Sequence, residues 1–264
     1  MGSAILSGLL KAGFDAASVA VSTRSQNSAD GLMADFGVKA YALETNEHAN
    51  VQAVIGADVI LVGVKPMYVT EVLVEVASSL RQDALIISVA AGITNATMEA
   101  AVAESVAVIR SMPNTPALVG RAVTGIAAGS RASARQVSKA IELFETVGKV
   151  LVVDESQIDA LSTVSGSGPA YVFYLIEQFT KAAEQLGFTP QEAALMVGET
   201  FLGAAELLAA SGKTPQELRR QVTSPNGTTM QAIARMEKTD LEGMFTEATE
   251  AALARAREIA SGKG

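Results

Sequence analysis

The 264-residue chain has no cysteine and no tryptophan, and its one histidine is His48. Without cysteine there is no disulfide, no thiolate nucleophile and no sulfur-ligated metal. A lone histidine removes most metal sites and the usual general base, so no metal is expected. Aromatic residues make up only 5%, which leaves Ala, Val, Leu and Ile to build the core. Basic residues are also outnumbered. The net charge of −8 argues against a nucleic-acid or anionic-membrane surface, either of which calls for a basic stripe. The most extended apolar run, Ala193–Ala210, is interrupted by Glu199 and Glu206, so it reads as a buried helix rather than a membrane span. The opening residues lack the charged-then-apolar pattern of a signal peptide, and a reducing cytoplasm is the expected compartment.

What is present is a regular alternation. Ser18–Thr23, Asp58–Val64, Ala84–Ala91, Val106–Asn114, Ala122–Gly129 and Lys149–Glu155 are short β-rich runs. Between them lie helical segments: Ser28–Phe36, Tyr68–Leu80, Ala96–Ala103 and Ala134–Val147. Near-continuous apolar strands alternating with helices predict an α/β fold, with a doubly wound parallel sheet covered on both faces. The chain opens on "MGSAILSGLLKAGF", an amphipathic helix that stops at Gly13.

After Glu155 the strand pattern ends. Val172, Leu175, Ile176, Phe179, Ala183 and Leu186 share a helical face, Pro190 and Pro215 each start a helix, and Asp240 caps the last, which runs to about Ala260. The shift divides the chain into an α/β domain over 1–154 and an all-helical domain over 155–264. The helical part is apolar enough to predict burial against another subunit, and the final SGKG reads as a frayed tail.

Ligands of open parallel sheets bind beyond the carboxyl ends of the strands. Here those ends carry "TRSQNS", "GVKPMY", "VAAGIT" and "MPNTPA". Where an NAD enzyme would place an acid after its strand, this chain has Thr23, Arg24 and Ser25. A guanidinium among hydroxyls suits a 2′-phosphate, although Arg24 also reads as an ordinary solvated charge. "SGSGPAY" (Ser165–Tyr171) sets glycines at a helix start, where backbone N–H groups face an anion or where helices pack closely. "QVTSPNGTTM" (Gln221–Met230) is a donor-rich loop suited to a small carboxylate; an ordinary capped turn is the alternative.

Together these segments resemble the pyrroline-5-carboxylate reductase family. "VTSPNGTTMQAI" is the most specific piece, with "VKP", "SVAAGI", "MPNTP" and "SGSGPAY" in the family's order and spacing. The resemblance runs the length of the chain. It implies a Rossmann-type domain for NADP (with NAD possible), a helical dimerisation domain, and a site formed where they meet. It assigns Thr23, Arg24 and Ser25 to the adenosine phosphate, Asn50 to its ribose, and Gly63, Val64, Lys65, Pro66, Val89, Ala90 and Ala91 to the walls beside pyrophosphate and nicotinamide. Met1 and Gly2 match the close of the family's "GxGxMG", so the resemblance implies a first strand and two glycines that these residues do not include. Thr228 and Thr229 would be substrate-binding donors, with Gln221, Ser224 and Gly227 nearby and Glu155 lining the pocket.

The implied reaction reduces 1-pyrroline-5-carboxylate to L-proline by hydride transfer from NAD(P)H, in a homodimer or larger homo-oligomer. It asks for little acid–base machinery, since a protonated cyclic imine is already electrophilic. Thr229 is the candidate catalytic residue, placed to hydrogen-bond the ring nitrogen. The rival readings are a β-hydroxyacid dehydrogenase-like oxidoreductase and a non-catalytic nucleotide-binding dimer. Dehydrogenases of the first kind carry a "GxxxK" helix, and this chain has Ala170 and Val172 where that lysine would stand.

Overall fold

A computed structural model describes residues 1–260; the SGKG tail lies outside the described residues. The chain forms two compact units, one of residues 1–167 with 252–260 and the other Gly168–Ala251. The first is α/β. In chain order it holds α1 (Gly2–Lys11), β1 (Ala20–Thr23), α2 (Gln26–Phe36), β2 (Lys39–Ala42), α3 (Ala49–Val54) and β3 (Val59–Val62). Next come α4 (Val69–Val76), β4 (Leu85–Ser88), α5 (Asn95–Glu99), β5 (Ala107–Met112), β6 (Ala122–Ala128), α6 (Ala134–Glu145), β7 (Gly148–Val152) and α7 (Ile158–Leu161).

The expected α/β fold is present, and its strands depart from one all-parallel sheet in two ways. First, the strands form two sheets, β1–β2 and β3–β4–β5–β6–β7, with no ladder joining them among the described residues. Second, the larger sheet is mixed, because β5 and β6 pair antiparallel. The cause is the short link between them, a 3₁₀ turn over Thr115–Val119 in place of a crossover helix. All six expected strands are present. The additional strand is β2, whose "KAYA" is too short and too mixed in polarity to stand out. Ala96–Ala103 shortens to α5, which Thr94 caps through Thr97 N–H.

Period-two alternation along β4 divides the core. Leu85 and Ile87 point to the face that buries Ile5 of α1 and Phe144 of α6. Ile86 points the other way, among Val69, Leu73 and Met98 of α4 and α5. Gly8 permits the first of these packings: a Cβ there would collide with a methyl of Val147.

The compact α/β unit continues past the boundary expected at 154, as far as Ser167. Ile158 is fully buried and the acids around it pair with a buried arginine of β5, so residues 155–167 belong to the α/β unit. Beyond a π-helical turn at Ser162–Gly166 come α8 (Gly168–Gln185), α9 (Pro190–Ser211), α10 (Pro215–Gln221), α11 (Thr228–Met236) and α12 (Leu241–Ala260). Asp240 caps α12, as expected, by accepting from Gly243 N–H at 2.8 Å. α8 and α9 meet through a small core of Ala183, Ala193 and Val197. Ala193–Ala210 is not the buried helix it was expected to be. α9 is long and apolar enough to cross a membrane, yet only 11% of its most apolar window is buried. Phe173, Phe179, Leu186, Leu195 and Leu202 are exposed as well. An apolar surface of this extent calls for a partner.

Candidate active site

The expected cofactor residues gather at the carboxyl edges of parallel strands. Val62 and Ser88 are register partners at the ends of β3 and β4, so Gly63–Pro66 and Val89–Ala91 leave the sheet side by side. The Val89 N–H donates to Val62 O at 3.1 Å, and the Ala90 N–H to Ser88 Oγ at 3.2 Å. Thr23 ends β1 of the smaller sheet, and Arg24 and Ser25 follow it. The Arg24 guanidinium lies 6.0 Å from the ring centre of Tyr68, which closes the turn after Lys65 and Pro66. That contact joins the edge of the small sheet to the edge of the large one.

Within the Thr23–Ser25 turn the hydroxyls are occupied. Thr23 Oγ1 donates to Ser25 O at 2.9 Å, and Ser25 caps α2 by accepting from Ser28 N–H while donating to Ser28 Oγ. Arg24 is exposed and, among the described residues, has no carboxylate within ion-pair distance; Lys65 is in the same position. Met1 is the N-cap of α1, with no side chain on the first-turn amides. Two unneutralised cations and open amides at this edge form a donor set that fits the phosphates of a dinucleotide. Asn50 is less free than expected: it is buried, and its Nδ2 donates to Glu75 at 2.8 Å.

The residues expected to bind substrate from the 221–229 loop fall in the helical unit. Gln221 ends α10, Ser224 is exposed in the following loop, and Gly227 is the N-cap of α11 without any side-chain cap. Asn226 is left-handed at φ 59°, and the Gly227 N–H donates to Ser224 O at 3.0 Å. Space is tight at Gly227: a Cβ would displace the Ser224 hydroxyl and lie 3.1 Å from its carbonyl. Thr228 and Thr229 are therefore the first two helical residues, not the cap. Among the described residues neither hydroxyl has a hydrogen-bond partner; Thr229 is half-buried and Thr228 exposed.

Glu155 is half-buried. Its Oε1 accepts from Asn95 N–H at 2.6 Å and lies 3.8 Å from Nη1 of Arg110, so its carboxylate is engaged inside the α/β unit. Arg110 escaped sequence reasoning, though a cation inside the apolar run "VAVIRSM" was the available signal. It is 4% exposed and also pairs with Asp159 at 2.5 Å. Among the described residues its Nε, like Oδ1 of Asn95, is buried without a partner.

The pyrroline-5-carboxylate reductase dimerisation family matches residues 155–259, and the coenzyme F420-dependent NADP oxidoreductase family matches residues 1–92. A pyrroline-5-carboxylate reductase of Pseudomonas aeruginosa is 38% identical over 100% of this chain and 95% of its own length. One from Corynebacterium melassecola is 37% identical over 98% of this chain and 95% of its length. The structure of a pyrroline-5-carboxylate reductase from Coxiella burnetii matches with a TM-score of 0.91 at 35% identity, covering 97% of this chain and 94% of that one. The NADP-bound Plasmodium falciparum enzyme shares the fold, at TM-score 0.82 and 24% identity over 98% and 94% of the two chains. Full-length identity at this level, a matching dimerisation domain and open cationic strand edges make the chain a member of the pyrroline-5-carboxylate reductase family, NAD(P)-linked oxidoreductases.

Proposed function

We propose that this chain carries out its family's reaction, reduction of 1-pyrroline-5-carboxylate to L-proline, with Arg24 and Lys65 holding the cofactor and Thr229 the substrate. The single observation that carries the substrate assignment is the free, half-buried hydroxyl of Thr229 beside uncapped amides at the start of α11. Bound NADPH supplies the hydride. Everything else asked of the protein is binding and orientation, which a chain with one histidine and no cysteine can provide.

Thr229 Oγ accepts the N–H of the protonated imine, holding its C=N carbon toward the hydride donor. When the C=N bond becomes a C–N bond, the same oxygen remains a partner for the product amine. A hydroxyl serves both states because it accepts and donates. The amides of Thr228 and Thr229 take the carboxylate; the Gly227 N–H is excluded because Ser224 O already holds it. Gln221 and Ser224 border this loop as further polar contacts.

On the cofactor side, Thr23 and Ser25 build the turn that presents Arg24 to the adenosine phosphate. Lys65, the cap residue Met1 and the first-turn amide of Gly2 serve the pyrophosphate. Gly63, Val64 and Pro66, with Val89, Ala90 and Ala91, wall the nicotinamide, and Asn50 braces the ribose edge through Glu75. Glu155 acts from behind the site through Asn95 and Arg110. The protein works as a homo-oligomer, with the exposed apolar faces of the helical unit buried in a dimer, in the cytoplasm. The test is direct. Purified chain mixed with NADPH and pyrroline-5-carboxylate should consume NADPH and yield proline; no consumption with either reduced nicotinamide would refute the reading.

A further inference from the structure

We propose that Glu44 sets this chain's choice between NADPH and NADH, an inference that rests on the cofactor reading above. In register Thr23 of β1 faces Ala42 of β2, so Arg24 and Glu44 both stand just past the same carboxyl edge. Backbone pairing continues beyond the strands: the Leu43 N–H donates to Thr23 O at 2.9 Å and the Glu44 N–H to Arg24 O at 3.0 Å. The Glu44 side chain then returns to the turn, where Oε2 accepts from Gln26 N–H at 2.8 Å. Thr45 Oγ1 donates to Gln26 Oε1 at 2.7 Å, fastening the two segments a second time. Asp30, the other carboxylate here, is held one turn along α2 by Gln26 Nε2 at 2.7 Å.

The acid that an NAD enzyme carries at the end of its own strand is absent from "TRSQNS" in the sequence. In the folded chain it arrives from the neighbouring strand. Among the described residues Arg24 and Glu44 form no ion pair, and the guanidinium lies 6.0 Å from the ring centre of Tyr68. The edge therefore offers a cation and an anion side by side. A ribose 2′-hydroxyl can donate to the carboxylate, whereas a 2′-phosphate gains Arg24 but meets a like charge that also holds the Gln26 amide. Arg24 favours NADPH and Glu44 restrains that preference.

The experiment titrates the purified chain and its Glu44→Gln and Glu44→Ala variants with NADPH and NADH, following cofactor fluorescence without substrate. Glu44 is exposed, and melting curves verify that both variants fold. The NADPH-over-NADH affinity ratio should rise about five- to tenfold in both variants, and less at high salt. An unchanged ratio, or weaker NADPH binding, overturns the proposal. A wild-type chain that binds neither cofactor overturns it together with the cofactor reading. Because no substrate is present, failure to reduce pyrroline-5-carboxylate would strike the proposed reaction alone and leave this comparison readable.

Discussion

The buried guanidinium of Arg110 lies 2.5 Å from the carboxylate of Asp159, across the join between strand β5 and helix α7. With Glu155 at 3.8 Å it forms a clamp that ties the start of the dimerisation-domain match to the sheet. Taking away one member leaves a buried charge with too few partners. Asp159→Ala should therefore lower stability by about 3 kcal/mol, read as a shifted urea midpoint with little change in slope. A midpoint that does not move would show that the clamp contributes nothing net.

Arg24→Ala should weaken NADPH binding by about 1–3 kcal/mol, the value of a charge-assisted contact to phosphate. NADH should bind nearly as before, because it has no 2′-phosphate. Equal losses for both cofactors would place Arg24 elsewhere, for example in shaping the turn against Tyr68.

Gly227→Ala should raise the Michaelis constant for pyrroline-5-carboxylate at least about tenfold and leave NADPH binding unchanged. The physical cause is local: the new Cβ displaces the Ser224 hydroxyl and presses on its carbonyl, which shifts the loop. An unaltered Michaelis constant would mean that the loop is not shaped around substrate.

Two capping boxes in the helical unit give it an acid-sensitive component. The Thr189 N–H and hydroxyl hold the carboxyl of Glu192 below its ordinary range, and Thr214 does the same for Glu217. Both folded pKa values are depressed, so this stability is present above the unfolded carboxylate range and is lost as pH falls through the folded values. The melting temperature of the wild type should thus fall further on acidification than that of the Glu192→Gln/Glu217→Gln variant. Parallel curves would contradict the assignment.

The legible parts of the fold were those with strong local periodicity. The six apolar strands and the Pro-started helices α9 and α10 stand where their sequences place them. What local pattern does not encode is pairing. Nothing in "AVTGIAA" reveals that β6 runs against β5; that follows from the short link through Thr115–Val119. The same holds for charge. Glu44 is an unremarkable loop acid in sequence, and only the parallel register of β1 and β2 brings it to Gln26. The motif marks Thr229 as a candidate donor, and of its plainer alternatives, helix cap or first-turn residue, the structure puts it in the first turn with Gly227 as the cap. α9 looked like a core helix because its composition is that of a core; its apolar faces need a surface outside this chain.

The central claim is that the Thr229 hydroxyl holds the ring nitrogen during hydride transfer, and steady-state kinetics of Thr229→Ala with pyrroline-5-carboxylate test it most directly. The turnover number should fall about tenfold to a hundredfold, corresponding to about 1–3 kcal/mol of lost transition-state stabilisation. NADPH affinity and melting temperature should stay near wild type, and Thr229→Ser should recover most of the rate. Wild-type turnover in the alanine variant would contradict the account.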